Sequence, residues 1–273
     1  MRQITKDIEI TIDGSRTGFR LTKLDAFAGV TLLRLLMRLE EHHPNPTMLD
    51  LIASLSEEEL RSVAGDFRKN VCVVLDVPVR TAAETRALGI DTGDYIALEP
   101  RYAFSGGYIK SRFIDDKACA AVLLNGMKAV REQGLRLKRK VIAYFACYEE
   151  IGHGTAWLPE GVADVLALDI APTGPDQNSD ERKVSVFAKD SRFPYHRGMA
   201  AELREAAERA GADYVMDVFT PHYGTDGDGS VLAGYDIRHG AIGPGTANSH
   251  GYERTHVDGL KNTFDLMMAY IQA

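Results

Sequence analysis

Five side chains with metal-binding or proton-transfer chemistry occur from residue 115 onward: Asp115, Glu149, Glu150, Asp169 and His250. Most of them directly follow a run of residues that is typical of a β-strand. Carboxylates and an imidazole delivered from separate strand ends can hold hard or borderline divalent cations beside a separate general base. The pattern therefore indicates a metal site with an adjacent proton-transfer group.

Glu149 and Glu150 are neighbouring carboxylates that follow the apolar run VIAYFAC, residues 141–147. Adjacent side chains at a strand end point in different directions, so one can bind a metal while the other accepts a proton from water. The alternative is a pair of solvated loop glutamates. The apolar run before the pair and the Gly-rich turn IGHGTA after it favour the functional interpretation.

Asp115 and Asp116 lie in the string FIDDKAC, before a stretch that is typical of a helix. A ligand shared by two metals about 3.5–4 Å apart must offer oxygen atoms, because an imidazole nitrogen has only one lone pair to give. The alternative is a helix N-cap, for which Asp is favoured. Either residue could cap the helix, and both roles can hold together, with Asp115 on metal and Asp116 on the helix.

Asp169 ends a buried apolar run, so a cation is its expected partner, because burying an unpaired carboxylate is costly. His250 lies in NSHGYERTH, and we prefer it to His256 as the metal ligand. We expect His256 either to begin a helix or to support a metal ligand without touching the metal. His153, His222 and His239 are expected in loop or structural roles, with His222 close enough to GTDGDG to lie near a ligand.

Strand-like and helix-like stretches alternate from about residue 105 to the C-terminus. Strands are predicted over residues 108–114, 141–147, 164–169, 184–188, 214–219 and 237–242, and helices over 117–133, 198–210 and 257–271. The apolar face of the first helix is expected at Ala121, Leu124 and Met127. Such alternation predicts an α/β fold, with a mixed, mostly parallel sheet covered by helices on both faces. Ligands of such sheets bind at the carboxyl ends of the strands, where the candidate carboxylates fall.

The first hundred residues follow a different pattern. Residues 66–100 contain the strand-like VCVVLDV, a short helix over 81–88 and the turn and strand GIDTGDYIAL, which together suit a small, shortened β-rich module. Residues 24–41 are typical of an amphipathic helix, and Ser56 with Glu59 forms the capping-box start of another. We predict three parts: an N-terminal helical segment over 1–65, the β-rich module over 66–104 and the α/β domain over 105–273.

The composition excludes several classes of protein. A formal net charge of −7 without a basic stripe argues against nucleic-acid binding. The N-terminus has no apolar signal-peptide region, and no apolar run reaches the roughly 18 residues that span a bilayer. The 3 cysteines have no CxxC spacing and fit reduced thiols, so we expect a cytoplasmic protein with no membrane partner.

Six strings in the same order resemble the dinuclear metallo-aminopeptidases of the glutamyl and deblocking family, whose members build tetrahedral dodecamers. The strings are FIDDKA, YEEIGHGTA, LALDIAPTGP, KDSRFPY, YGTDGDG and SHGYERTH. The resemblance covers roughly residues 66–273. It implies a phosphorylase/hydrolase-like α/β domain, an inserted small β-barrel domain that mediates homo-oligomerisation, short peptide substrates, and two zinc or cobalt ions; manganese is a further candidate.

The resemblance also assigns roles. Asp115 resembles the bridging carboxylate and Glu149 the general base. Glu150 and His250 resemble the remaining ligands of one metal, and Asp169 resembles the carboxylate ligand of the other. The turn formed by Gly224, Thr225 and Asp226 resembles the family's Gly-Thr-Asp turn beside the substrate.

One family motif is missing. The family places a His-x-Asp motif on an early strand, where the His binds the second metal, but no His-x-Asp precedes Asp115. The chain would be a shortened or rearranged member, an altered gene product, or one that receives the histidine from a partner chain. By ligand count, Asp115, Glu150 and His250 suffice for a catalytic zinc, whereas Asp115 and Asp169 make a weak site. We predict one well-occupied metal and a second that is weak or absent.

Three functions fit these observations. The first is a metal-dependent aminopeptidase acting on short peptides. The second is hydrolysis of another amide, as by a deacylase, because fold and metal do not fix the acyl group. The third is a catalytically inactive relative that serves as an assembly or regulatory protein.

Overall fold

The computed structural model describes residues 9–12, 15–18 and 73–273. The predicted helices over 24–41 and from Ser56 lie outside the described residues. Two compact units divide the chain, residues 1–94 and 95–273. None of the helices in the described ranges combines the length and the apolar character that a bilayer crossing requires. The three-part division predicted from the sequence stays a prediction.

The first unit contains few described elements. Strands β1 (Glu9–Ile12) and β2 (Ser15–Gly18) pair antiparallel. Helix α1 (Ala82–Ala87) begins with the capping box formed by Thr81 and Glu84, which confirms the short helix predicted over 81–88. The prediction of a strand in VCVVLDV is wrong for residues 73–77, and that in GIDTGDYIAL is wrong for 89–98, because these residues are irregular and mostly exposed. An apolar run forms a strand only where a neighbouring strand completes its hydrogen bonds.

The second unit contains two sheets and four helices among its described residues. Its elements are β3 (Ala103–Ser105), β4 (Tyr108–Ser111), α2 (Ile114–Glu132), β5 (Asp164–Leu168), β6 (Ala171–Pro172), β7 (Val184–Lys189), α3 (Arg197–Ala210), β8 (Tyr214–Val218), α4 (Asp226–Leu232), β9 (Arg238–Thr246), β10 (Glu253–His256) and α5 (Val257–Ile271). The larger sheet has the order β5-β9-β7-β8, with β6 also paired to β9. Pairing is parallel except between β7 and β9. The predicted mixed, mostly parallel α/β sheet is confirmed.

Apolar residues cover both faces of this sheet. Alternate residues of β7 point to opposite sides, so Val184 and Val186 pack with α3 and α5, whereas Phe187 packs with Phe219 on the other side. Helix α4 contacts β5 and β9. The helix faces were predicted less well: Leu124 and Met127 of α2 are exposed, and the buried residues of that helix include Cys119 and Val122.

The predicted strand over residues 141–147 is wrong. This segment is irregular, and its large apolar side chains are exposed: Val141, Ile142, Tyr144 and Phe145. It lines a cavity of about 900 Å³ together with β5, α2 and α5. Within the described residues β5 pairs only with β9, so its other edge lies open. The run has strand-like side chains but no hydrogen-bonded neighbour, and a single turn of 3₁₀ helix (Glu149–Ile151) follows it.

The smaller sheet positions the chain before α2. It has the order β10-β4-β3, and its register places Glu253 opposite Ser111 and His256 opposite Tyr108. Residues just before β10 therefore lie next to the turn that leads from β4 into α2. This turn contains Phe113 with a φ of 65°. The antiparallel pairing thus brings the His250 region and the Asp115 region together.

Candidate active site

A buried glutamate holds Asp115 and His250 in place. Glu253 is 2 % exposed; its Oε2 accepts a hydrogen bond from the backbone N–H of Asp115 at 3.0 Å, and its Oε1 accepts one from the N–H of His250 at 3.2 Å. Ser249 Oγ donates to Asp115 Oδ2 at 2.6 Å. Two segments that are far apart in the sequence are therefore joined through one carboxylate. Burial raises the pKa of Glu253, and the backbone N–H bonds oppose that shift.

The structure brings together three of the side chains predicted to bind one metal. His250 Nε2 lies 3.1 Å from Glu150 Oε2 and 3.5 Å from Asp115 Oδ2. One ligand atom from each residue lies within 4.8 Å of the others. The His250 and Glu150 side chains are largely exposed, whereas that of Asp115 is 11 % exposed. The group is therefore open to solvent on one side.

A second group shares Asp115 with the first. It consists of Asp115, Asp116 and Asp169, again with one carboxylate oxygen from each within 4.8 Å. Asp169 lies directly after β5 and is 8 % exposed, and its Oδ1 accepts from the N–H of Ile170 at 2.7 Å. Asp116 Oδ1 also accepts from the N–H of Cys119 at 3.3 Å, inside the first turn of α2, whose N-cap is Phe113. Asp116 thus contributes to this group as well, which the sequence did not indicate.

The carboxylates of the second group lie close enough together for their charges to raise the pKa of Asp116 and Asp169. Burial, followed by the charge of Asp116, raises the pKa of Asp169 well above its usual range. Burial also raises the pKa of Asp116, with the charges of Asp115 and Glu149 acting in the same direction. Both shifts mean that the ionised forms are costly without a positive partner. Because carboxylates and imidazole are ordinary ligands of zinc, cobalt and manganese, these residues fit such ions.

Glu149 lies next to both groups. Burial, followed by the charges of Asp226, Glu150 and Asp115, raises its pKa to about 7, and Arg192 opposes this shift. A carboxyl group with such a pKa exchanges protons readily near neutral pH. Glu149 therefore has the proton affinity that suits a general base, the role given to it from the sequence.

The Gly224–Thr225–Asp226 turn packs against the turn that follows Glu150. A Cβ placed on Gly154 would lie 1.5 Å from Asp226 Oδ1, so only glycine leaves room for this carboxylate. Burial raises the pKa of Asp226 to about 6. Thr225 is the N-cap of α4 and is 2 % exposed, and its hydroxyl lies 2.8 Å from Tyr195 Oη. The contact of this turn with substrate stays a prediction.

Four other histidines of residues 73–273 lie outside the two groups. His256 is the N-cap of α5, where its Nδ1 accepts from the N–H of Asp258 at 3.1 Å. The predicted helix-start role of His256 is therefore confirmed, and the His-x-Asp string that it forms with Asp258 serves as a cap. His239 is buried in β9, and His153 and His222 are exposed on turns. None of these four belongs to either acidic group.

Sequence reasoning missed Glu253, Ser249 and Arg192 as parts of the site. Glu253 and Ser249 flank His250 in the string SHGYERTH, and a glutamate inside a β-strand next to a candidate ligand was the available signal. Arg192 lies in KDSRFPY, whose place beside Glu149 depends on the fold. Their roles follow from long-range contacts, which the local sequence does not report.

Comparison with known proteins identifies the family. The model of the M42 glutamyl aminopeptidase family matches residues 54–266. The chain belongs to this family. The putative aminopeptidase YhfE of Bacillus subtilis (strain 168) is 37% identical over 208 residues, which are 76% of this chain and 60% of that protein. The chain thus spans less than two thirds of the length of this curated relative. The M42 family is a metallopeptidase family, in agreement with the candidate ligands.

Two solved structures with the same fold come from archaea. Aminopeptidase APDkam598 from Desulfurococcus kamchatkensis has a TM-score of 0.60 at 20% identity, covering 72% of this chain and 58% of that one. The TET1 peptidase of Pyrococcus horikoshii, described as able to assemble into a tetrahedron or a large octahedral shell, has a TM-score of 0.55 at 23% identity, covering 63% and 53%. These similarities support the α/β fold of the chain.

Proposed function

We propose that this chain is a metal-dependent aminopeptidase that removes the N-terminal residue from short peptides. The observation that carries the proposal is the sharing of Asp115 between two ligand groups, with Glu149 next to both. We call Asp115, Glu150 and His250 the first cluster, and Asp115, Asp116 and Asp169 the second cluster. Membership of the M42 family supports the type of reaction.

The two clusters differ in their chemistry. The first offers one imidazole and two carboxylates, a set that suits zinc or cobalt. The second offers carboxylates alone, which suit a harder cation such as manganese. We propose one or two ions per chain, with the first cluster the tighter. A bound divalent cation supplies Lewis acidity at the scissile carbonyl and lowers the pKa of water.

The protein's own groups handle the protons and the orientation. Glu149 takes a proton from the attacking water and passes it to the departing amine, a role open to a carboxylate that lies beside the metal ligands without being one of them. Glu253 holds the backbone of Asp115 and His250, so that the first cluster keeps its spacing. The acidic surroundings attract the protonated N-terminus of a peptide.

The test is hydrolysis of a panel of aminoacyl chromogenic substrates with added zinc, cobalt or manganese. We expect activity with at least one metal. Glu149→Gln should lower kcat by roughly 10²–10⁴-fold without loss of bound metal, because it removes proton transfer only. Glu205→Gln, an exposed glutamate on α3, is the matched control and should keep full activity. Undiminished activity in Glu149→Gln would contradict the proposal.

Two alternatives have distinct results in the same experiment. An inactive assembly or regulatory protein is favoured by two observations on residues 73–273: none of their histidines joins the second cluster, and the segment before Glu149 is irregular. It would fold stably and hydrolyse nothing with any metal. A deacylase would cleave N-acylated amino acids while leaving aminoacyl substrates intact.

We also propose that the chain forms a homo-oligomer. Large apolar side chains are exposed in and before the edge strand β3: Tyr95, Ile96, Leu98, Tyr102 and Phe104. Exposed apolar patches next to an open strand edge are typical of contact surfaces between chains. Light scattering at several concentrations should give a mass above that of one chain. A cytoplasmic location and the lack of nucleic-acid or membrane partners stay predictions.

A further inference from the structure

A buried hydrogen-bond network starts at Asp190, on the loop that connects β7 to α3. Asp190 is 0% exposed, and its Oδ1 accepts from the backbone N–H of Arg192 at 2.8 Å and of Phe193 at 3.0 Å. Its Oδ2 accepts from Tyr195 Oη at 2.7 Å. Three donors therefore surround this carboxylate, which fixes the backbone of the loop and the direction of the Tyr195 hydroxyl.

The network continues into the start of α4. Tyr195 Oη lies 2.8 Å from Thr225 Oγ1; because Tyr195 gives its only hydroxyl proton to Asp190, Thr225 is the donor of this bond. The backbone N–H of Thr225 donates to Asp228 Oδ2 at 3.0 Å. Tyr195 is 4% exposed and Thr225 is 2% exposed, so water has little access to these bonds. Two segments that are 30 residues apart in the sequence are thus joined in the interior.

Asp228, at the end of the network, is short of hydrogen-bond donors. It is 0% exposed, and its Oδ1 receives no hydrogen bond from residues 73–273. An ionised carboxylate in such a place is costly, because burial removes its water without supplying donors. Burial raises the pKa of Asp228 to about 7; the neighbouring Asp190 acts in the same direction, whereas the Thr225 N–H and the charge of Arg192 oppose it. A protonated Asp228 gains one O–H donor, and the Asp190 carboxylate is its hydrogen-bonded neighbour.

The two joined segments each place a charged side chain next to Glu149. Asp226 belongs to the turn before α4 and Arg192 to the loop after β7, and the charges of both act on Glu149. A Cβ placed on Gly224 would lie 3.0 Å from Asp228 Oδ2, so the carboxyl of Asp228 packs directly against the turn. A shift of either segment would change the distance of one charge from Glu149, and with it the strength of their interaction.

We propose that Asp228 is a positioning residue, whose protonated carboxyl locks the turn before α4 to the loop between β7 and α3. Asp228 belongs to neither cluster of candidate metal ligands, so it acts on turnover through these two segments. The effect on turnover rests on the proposed peptidase function. The protonation of Asp228 and the join between the segments do not depend on that function.

The experiment compares three variants of the metal-loaded protein. Asp228→Ala removes the join, so kcat should fall roughly 10–100-fold while the content of bound metal stays unchanged. Asp228→Asn should keep most of the wild-type kcat and melting temperature, because an amide can accept and donate where a neutral carboxyl does. Asp190→Asn should lose both, because its NH₂ group cannot accept from any of the three donors around it.

Two measurements report on Asp228 without turnover. Infrared spectra of metal-loaded Glu149→Gln at about pH 6, below the pKa of Asp228, should contain the band of a protonated carboxyl that is lost when Asp228→Asn is added. Hydrogen exchange in Asp228→Ala should become faster in the loop of residues 190–196 as well as in the turn of residues 224–226, because the network couples them.

The matched control is Asp236→Ala, an exposed aspartate that follows α4 and should change none of these quantities. If Asp228→Asn loses as much activity as Asp228→Ala, or if Asp190→Asn is tolerated while Asp228→Asn is not, the proposal is overturned. The same holds if the infrared band is absent or persists in the double variant, or if faster exchange is confined to the turn. If wild type hydrolyses nothing with any metal, the proposed function fails, and the infrared and exchange results decide the inference by themselves.

Discussion

The candidate site has two halves that are built differently. Asp115, Asp169 and His250 are held by the two sheets: Asp169 follows β5 and donates its N–H to Ile242 O at 3.0 Å, and Glu253 in β10 holds the other two. Glu149 and Glu150 instead follow the irregular, exposed residues 141–147. One half is therefore positioned before any ligand arrives.

The half that contains Glu149 and Glu150 depends more on the ligand that it binds. Glu150 reaches His250 at 3.1 Å, yet its side chain is 58% exposed. Few backbone bonds and little packing fix the residues before it. The difference teaches that the sheets can place Asp115, Asp169 and His250 without a ligand, whereas we expect a bound cation to order Glu149 and Glu150. We call these the sheet-held half and the glutamate half.

The largest expected effect is a contrast in hydrogen exchange. In metal-free protein, amides of residues 141–147 should exchange at least roughly a thousandfold faster than those of β9, because exposed irregular backbone opens freely whereas a central strand opens only with the unit. Mass spectrometry of exchange, corrected for intrinsic rates, measures this. Equal protection of the two segments would remove the distinction between the halves.

The next largest effect concerns the anchor of the sheet-held half. Glu253→Ala leaves two backbone donors without their acceptor and frees Asp115 and His250. We expect zinc affinity to fall roughly 10–100-fold and the free energy of unfolding to fall by about 2 kcal/mol or more. Calorimetric titration and urea unfolding measure these changes.

The matched control for Glu253→Ala lies next to the same strand. Glu181 pairs with Arg254 of β10, its Oε1 lying 2.6 Å from Arg254 Nε, and does not belong to the site. Glu181→Ala should leave zinc affinity unchanged, although it removes a two-pronged ion pair in which the Glu181 side chain is only 13% exposed. If both variants bind zinc as wild type does, the anchor has no role in the site.

A smaller effect is expected for the stability of metal-free protein as a function of pH. In the folded chain the pKa of Glu149 is raised to about 7 and that of Asp169 is raised well above its usual range, both first by burial. A carboxyl whose folded pKa is raised stabilises the protein below its unfolded pKa, and this contribution is lost as pH rises through the folded pKa. Metal-free protein should therefore melt several degrees lower at pH 8 than at pH 5.

Two comparisons isolate the source of this pH effect. Burial lowers the pKa of His239, so this group makes the folded protein more stable as pH rises near pH 6, opposite to the effect of the carboxyl groups. The informative quantity is therefore the difference in pH dependence between wild type and a variant. Asp169→Asn should flatten the decrease in melting temperature between pH 5 and pH 8. Added zinc or manganese should reverse the decrease in wild type. An unchanged slope in Asp169→Asn would show that the carboxylate cluster does not cause it.

Most of the fold could be predicted from local patterns. Six elements occur near their predicted bounds, because each pattern agrees with the place of its element in or on the sheet. They are the strands over 164–169, 184–188, 214–219 and 237–242 and the helices over 198–210 and 257–271. Residues 141–147 did not follow their pattern. A strand forms only beside a neighbouring strand that accepts and donates hydrogen bonds. The residues of the segment do not indicate whether such a neighbour is present.

The order of the site residues was visible in the sequence, whereas their supports were not. Asp115, Glu150 and His250 meet as expected from the order of the motifs, although no strand precedes Glu150. Asp116 was given a capping role alone, because the local pattern of a helix start explains an aspartate fully. Glu253 was missed because its carboxylate accepts from the backbone N–H of Asp115, which lies 138 residues earlier in the sequence. Such contacts require the three-dimensional fold.

The most direct test of the central claim is the metal content of the chain, titrated with zinc and with manganese and read by elemental analysis. If Asp115 serves both clusters, wild type should hold one ion tightly and a second weakly. Asp115→Asn should weaken both, His250→Ala the tight ion alone, and Asp169→Asn the weak ion alone. Two equally tight ions in wild type, or unchanged binding in Asp115→Asn, would contradict the account.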